Sequence, residues 1–515
     1  MIVPLGIGDL LDRAALVYGE REALVDEPGT AGSWGRITYR ELRRRAWGMA
    51  RALDDMGVGA GERVAIVSPN AGRFLCSYWG VSAYGRVLVP VNYRLHADEV
   101  RYIIEHSGAT AVLIDPELDG PLASVQAKHR IVLDGVQDAE LWAPADAPPG
   151  GGPWLTDENA TASINYTSGT TARPKGVQLT HRNCWINAVT FGWHLQVSDR
   201  DVLLHTLPMF HCNGWGMPYA ATGMGVRHVV IRKIDGEDIL RRVEDEGVTL
   251  LCGAPAVINA TLDAAAARQQ RGEGVPGRGQ VRVVVAGAPP PSKTIERVET
   301  ELGWQFNQIY GLTETSPLVT VNRSRVEWDG LDAAVRSRLL ARAGTPAVGV
   351  GIRVDDEGEV AARSNVVFAG YWEQPEETAK AVVDGWFHTG DGGFIEDGYL
   401  TIADRKKDII ISGGENVSSI EVEDCLFQHP AVAEVAVIGV PDERWGETVK
   451  ALVVARPGSA VTEDELITFA KGRLAGYKCP KSVELRQELA RTATGKLQKF
   501  KLRQPYWEGR DRQVN

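Results

Sequence analysis

Residues 166–177 read YTSGTTARPKGV and bring two hydroxyl clusters, two glycines, an arginine and a lysine into one short stretch. Those residue types grip phosphate. Glycine lets backbone N–H groups approach the oxygens, hydroxyls add hydrogen bonds, and lysine supplies a point charge. Residues 162–165, just before, read as the end of a strand. The spacing is not the Walker pattern GxxxxGK[ST], which points away from ordinary P-loop ATPases and toward another nucleotide chemistry.

Four more segments follow in order: YGLTE at 310–314, TGD at 389–391, DRKKDIIISGGENVSSIEVE at 404–423 and TGKLQK at 494–499. Taken singly, YGLTE and TGD are ordinary turn sequences, and Lys406, Lys407 and Lys496 are ordinary solvated lysines. The information lies in all five occurring together.

These segments need a scaffold. Thr38 and Glu41 form a capping-box pattern ahead of Leu42, Ala46, Met49, Ala50, Leu53 and Met56, with Gly57 as the stop. Short apolar runs at 63–67 and 111–114 read as strands, and the alternation continues with a helix at 238–246 and strands at 248–252 and 281–286. This predicts a doubly wound α/β fold. Residues 144–153 (PADAPPGGGP) and 268–279 read as loops. Beyond Gly344 the pattern turns to hairpins, with turns at 355–358 and 396–398. The last hundred or so residues read as a small α+β domain, with helices capped by Ser418/Glu421 and Thr462/Glu465 and a strand at 433–440. Residues 202–226 contain no Asp, Glu, Lys or Arg and are long enough to span a bilayer. Pro208, Pro218, His211, Asn213 and several glycines make them a poor membrane helix. A buried strand followed by a pocket-lining loop is predicted instead, with no transmembrane segment.

Composition narrows the classes. A chain of 515 residues suits two to four domains, and 44% hydrophobic content can fill their cores. The net charge of -11 argues against a nucleic-acid partner. Cys76, Cys184, Cys212, Cys252, Cys425 and Cys479 form no CxxC pair, so neither a zinc site nor a disulfide framework is expected. The first residues, MIVPLGIGDLLDR, lack a basic n-region and a cleavage site. The expectation is a cytoplasmic protein with reduced thiols.

Over nearly its whole length the chain resembles the adenylate-forming superfamily, which includes acyl-CoA synthetases, aryl-CoA ligases, luciferases and peptide-synthetase adenylation domains. The resemblance implies a large N-terminal domain, residues 1–406, of two α/β subdomains plus a β-rich one. A small mobile α+β domain, 407–515, would follow. It implies a carboxylate attacking the α-phosphate of ATP, then a thiol, usually of coenzyme A, taking the acyl group and releasing AMP. Thr167, Ser168, Gly169, Thr170, Thr171 and Lys175 would hold the β- and γ-phosphates. Glu314, with Thr170 or Thr313, would bind Mg²⁺, a cation that prefers oxygen ligands. Gly287, Ala288, Pro289, Tyr310 and Gly311 would flank the adenine, Asp391 would accept both ribose hydroxyls, and Arg405 would donate to ribose or phosphate. Lys496 would bridge the α-phosphate and the carboxylate. Lys407 would be the hinge that exchanges Lys496 for the Gly413-Gly414-Glu415 loop.

Residues 207–215, LPMFHCNGW, resemble the segment lining the carboxylate pocket of the fatty acyl branch. His211 would lie near the acyl carboxylate, with Asn213, Gly214 and Trp215 in the pocket wall. The implied substrate is a fatty or other hydrophobic small-molecule acid. Ala172, Ser419 and Ala490 depart from the family pattern, and Ser419 bears on the acceptor. The same adenylation could serve an amine or a carrier-protein thiol. Two further readings are a non-catalytic nucleotide-binding scaffold and a luciferase-like oxygenase. A homodimer is left open.

Overall fold

The structure, a computed structural model, describes residues 1–151, 157–167, 174–405, 408–412, 415–442, 445–491 and 497–508. Two large sheets form the N-terminal part. The nine-stranded sheet runs, edge to edge, through Thr345–Pro346, Thr320–Arg323, Gln305–Tyr310, Arg282–Val285, Leu250–Gly253, Val202–His205, Arg227–Val230, Glu22–Val25 and Arg36–Thr38. Its six strands from Gln305–Tyr310 to Glu22–Val25 are parallel. Five of these six are four residues long with their last three residues buried, as in a sheet covered on both faces. The seven-stranded sheet runs through Gly370–Tyr371, Lys175–Thr180, Thr161–Thr167, Val87–Val91, Arg63–Val67, Ala109–Ile114 and His129–Val132.

Local signals held where they were short-range. Thr38 Oγ1 accepts the Glu41 N–H at the start of helix Tyr39–Asp55. Thr462 and Glu465 complete a reciprocal capping box on helix Glu463–Lys471. Between strands Trp386–Glu396 and Tyr399–Arg405, Asp397 and Gly398 both have positive φ, at 51° and 80°, as a two-residue hairpin requires.

Two expectations are corrected. Residues 268–279 are not all loop, since helix Pro255–Gln270 continues into them. The buried guanidinium of Arg268 pairs with Glu237 and Glu244, which holds its last turn. The 202–226 stretch is strand Val202–His205 followed by a buried turn and helix Met217–Met224, rather than strand and loop. The expected β-rich unit forms, and one strand links it to the seven-stranded sheet. Its strands Val350–Val354, Glu359–Ser364, Trp386–Glu396, Val382–Val383 and Tyr399–Arg405 make one sheet, but Gly370–Tyr371 crosses to pair with Lys175–Thr180.

A fourth sheet joins Glu415–Val417, Ile410–Ser412, Gly446–Ala455, Val432–Asp442 and Ser482–Arg486. The core behind it, from Ile410, Val417 and Val422 to Cys479 and Val483, draws no buried member from before residue 410. This small C-terminal domain touches the large one where Ser292 N–H donates to Asp424 Oδ1 at 2.9 Å. The Ser418 hydroxyl also donates to the Ala403 carbonyl. All six cysteines are buried. No helix among the described residues is long and apolar enough to cross a membrane.

Candidate active site

The phosphate-loop sequence is flanked by two paired antiparallel strands. Thr167 closes strand Thr161–Thr167 and pairs directly with Lys175, the first residue of the antiparallel strand Lys175–Thr180. A Walker loop connects a strand to a helix, so the backbone path agrees with the unusual spacing. Ser168, Gly169, Thr170, Thr171 and Ala172 lie outside the described residues.

Lys175 is held in place. Its Nζ lies 2.6 Å from Glu377 Oε2 and 4.9 Å from the centroid of the Tyr371 ring. The Tyr371 hydroxyl donates to Glu314 Oε1 at 2.9 Å. One continuous polar row therefore links Glu377, Lys175, Tyr371 and Glu314, residues from three separate stretches of chain. Glu314 sits on the short turn Thr313–Thr315, beside buried Thr313. Its carbonyl accepts the Phe368 N–H at 2.8 Å, tying that turn to the chain before Tyr371. The Lys175 ammonium, with help from Lys380, holds the Glu377 carboxyl down at about 2. Burial, reinforced by the Glu314 carboxylate, raises the Tyr371 phenol above its ordinary value, so it stays a donor.

A second pair lies at the end of strand Gln305–Tyr310. The Tyr310 hydroxyl donates to Asp391 Oδ2 at 2.8 Å. Asp391 is buried and stands opposite Arg405 on the neighbouring strand. Gly311 follows Tyr310 where no larger residue fits, because a Cβ there would lie 1.5 Å from the Pro317 carbonyl oxygen. Gly287, at φ 90°, and Pro289 are exposed on the loop after strand Arg282–Val285, with Ala288 half-buried between them.

His211 is half-buried at the start of the turn that carries Asn213, Gly214 and Trp215. Trp215 is buried. Asn213 is buried too, and its amide is spent on Asn165 and Ser163. The structure thus links Lys175 to Glu314 through Tyr371, and joins Tyr310 directly to Asp391. Glu415 is exposed at the start of its strand. Lys407, Gly413, Gly414 and Lys496 lie outside the described residues. Ser419 is buried in the first turn of helix Ser419–Phe427 and takes a hydrogen bond from Lys499. Ala490 packs partly buried against Leu489 and Leu502.

Sequence reasoning missed Tyr371 and Glu377. The signal was present in GYWEQPEET at 370–378, where Pro375 opens helix Pro375–Ala381. A tyrosine just before a short helix and a glutamate in its first turn carry no chemistry until the sheet crossover sets them beside Lys175.

Comparison with known proteins identifies the family. The AMP-binding enzyme family matches residues 11–372, and the AMP-binding enzyme C-terminal domain matches residues 421–496. The chain is 37% identical to a 4-hydroxybutyrate–CoA ligase of Metallosphaera sedula, over 96% of this chain and 93% of that protein. It is 35% identical to a 2-methylpropanoate–CoA ligase of Humulus lupulus, over 98% and 94%. Among solved structures it is similar to ATP-bound MatB from Rhodopseudomonas palustris, with a TM-score of 0.83 at 29% identity, over 97% of this chain and 99% of that one. A matched segment spanning residues 11–372, and relatives covered almost end to end, place the chain in the AMP-binding enzyme family.

Proposed function

We propose that this protein is an AMP-forming acid–CoA ligase. A carboxylate oxygen attacks the α-phosphorus of ATP, pyrophosphate leaves, and an acyl-adenylate remains. The sulfur of coenzyme A then attacks the acyl carbon. AMP leaves with the electrons of the broken mixed anhydride, and the thiol proton goes to solvent. The observation that carries this reading is the row Glu377–Lys175–Tyr371–Glu314 beside the pair Tyr310–Asp391. It sets a cation and a carboxylate at the start of strand Lys175–Thr180, near a second carboxylate suited to ribose hydroxyls.

The first step brings an anion to a polyanion, so charge neutralisation and positioning supply most of the catalysis. Lys175 and the 167–171 segment would hold the β- and γ-phosphates. The fit of Mg²⁺ rests on donor chemistry: Glu314 offers carboxylate oxygen, and Tyr371 occupies its Oε1 side and orients it. When bound there with Thr170 or Thr313, the ion would neutralise phosphate charge. Asp391 would accept the ribose hydroxyls, with Tyr310 and 287–289 around the adenine and Arg405 donating nearby. Lys496 would stabilise the charge of the attack. Lys407 would let the 407–515 domain rotate and present Gly413, Gly414 and Glu415 for thiolysis. The separate core from Ile410 onward, among the described residues, supports that motion.

The acid is read as short and aliphatic. The 4-hydroxybutyrate and 2-methylpropanoate named for two relatives support this. The test is pyrophosphate release across a panel of acids from acetate to palmitate, repeated with coenzyme A, without it, and with simple amines. Release that depends on a short acid, with a thioester product, is expected. Amide formation without coenzyme A would replace the acceptor, and no release with any acid would overturn the reading.

A further inference from the structure

The turn bearing His211 and Trp215 has an unusual backbone. Cys212, Asn213, Gly214, Trp215 and Gly216 have φ of 47°, 50°, 60°, 59° and 74° in succession. A left-handed residue other than glycine costs roughly 1–2 kcal/mol, so three of them among five must be held by their surroundings.

They are held from two sides. On one side, Ser163, Asn165 and Asn213 form a closed ring of hydrogen bonds, and all three are buried. The Ser163 hydroxyl donates to Asn165 Oδ1 at 3.0 Å, Asn165 Nδ2 donates to Asn213 Oδ1 at 3.2 Å, and Asn213 Nδ2 donates back to Ser163 Oγ at 2.8 Å. On the other side, Asn187 Nδ2 donates to the Trp215 carbonyl at 3.1 Å, while Asn187 Oδ1 accepts the Leu318 N–H at 3.3 Å, just past Glu314.

The ring has a direction. Ser163, Asn165 and Thr167 are alternate residues of strand Thr161–Thr167, so they share one face. Thr167 is the last residue before the phosphate loop. Two strand residues rise about 7 Å, so the anchor of the 212–216 turn and the entrance of the phosphate loop lie one short step apart on a stiff element.

We infer that Ser163, Asn165 and Asn213 are positioning residues that set the register between the acid's carboxylate and the α-phosphate of ATP. They act through the turn on one side and the strand on the other. The inference rests on the acid lying against 211–215, as proposed above. Attack requires the reacting atoms within about 3–3.5 Å, and a displacement of about 1 Å can cost on the order of 100-fold in rate. A ring that merely stabilised the fold would instead lower the melting temperature and leave turnover of the folded enzyme intact.

The experiment uses the full chain carrying Ser163→Ala, Asn165→Ala, the double variant, and Asn165→Asp as a variant of nearly unchanged shape. Acid-dependent pyrophosphate release and the melting midpoint are measured for each. The expected result is a fall in kcat of about 10- to 100-fold, with KM for ATP and for acid within about 3-fold, not rescued by saturating substrate. The double variant should be no slower than the slower single, because a closed ring fails as a unit. Variants that melt lower but keep kcat within about 2-fold of wild type would overturn the inference. Wild-type protein that releases no pyrophosphate with any acid would overturn the proposed function and this inference with it, whereas active wild type with unimpaired variants overturns the ring alone.

Discussion

Lys175 Nζ and Glu377 Oε2 lie 2.6 Å apart, with the ammonium also over the ring of Tyr371. The lysine proposed to hold phosphate is thus pre-paired with a carboxylate that incoming phosphate would have to displace. The contact is partly exposed, so its strength is modest and screened by salt.

Glu377→Gln removes the competing charge and should lower the KM for ATP about 2- to 5-fold, whereas Lys175→Met should raise it more than about 10-fold. The pH behaviour follows from the depressed Glu377 carboxyl. A lowered carboxylate keeps its charge above its ordinary value and loses it only as pH falls through about 2. The KM ratio between Glu377→Gln and wild type should therefore stay flat from about pH 5 to pH 9. ATP titrations of pyrophosphate release at several pH values check this, and a ratio that collapses near pH 6 would exclude Glu377 as the competitor.

Tyr371→Phe removes the hydroxyl that donates to Glu314 Oε1. A hydrogen bond to a charged group is worth about 1.5–3 kcal/mol, and partial exposure of this one puts the loss near the lower end. The half-saturating Mg²⁺ concentration should rise several-fold, because Glu314 loses its orienting partner. The phenol is raised above its ordinary value, so wild type should show no alkaline limb from Tyr371 below about pH 10. Magnesium titrations with urea unfolding measure both effects.

Tyr310 and Asp391 should separate binding from fold. Tyr310→Phe leaves the buried Asp391 carboxylate without this donor. Asp391→Asn keeps the shape and removes the charge. Both should raise KM for ATP, Asp391→Asn by about 10-fold or more, with a smaller effect on KM for the acid. Initial-rate matrices in both substrates give the answer, and equal effects on the two KM values would argue against a ribose role.

The mobile-domain reading makes its own prediction. Lys496→Ala should suppress adenylation by about 100-fold or more while sparing thioester formation from supplied acyl-adenylate. Lys407→Pro should uncouple the half-reactions. Asp424→Ala removes the acceptor of the Ser292 hydrogen bonds between the domains and should change the balance of the two half-reaction rates without abolishing either. Separate assays of the half-reactions test all three. Equal loss in both steps for Lys496→Ala would remove its assigned role.

Gly311 offers a stability test inside the same site. Gly311→Ala drives a Cβ into the Pro317 carbonyl, a backbone atom that cannot swing aside. Overpacking of this kind costs about 1–3 kcal/mol. Chemical denaturation should show a lower midpoint, and an unchanged midpoint would mean the 311–317 loop relaxes freely.

Much of this protein is determined by residues close together in sequence. The Thr38 and Thr462 caps, the Asp397-Gly398 turn and the apolar strands depend on neighbours within four positions, so sequence spacing alone specifies them. The order of five short segments marked the chemistry, because hydroxyls, glycine, lysine and carboxylates are chosen for what they bind. Tertiary structure decided which of them meet. Lys175 and Glu377 are 202 positions apart, Tyr310 and Asp391 are 81, and Asn165 and Asn213 are 48. Such pairs follow from sheet order, strand register and the crossing of Gly370–Tyr371 onto the hairpin strand, none of which leaves a periodic trace in sequence. The left-handed turn at 212–216 shows the same division. Its glycines were visible, but three non-glycine residues keep that conformation only because buried partners on a strand and a helix hold them there.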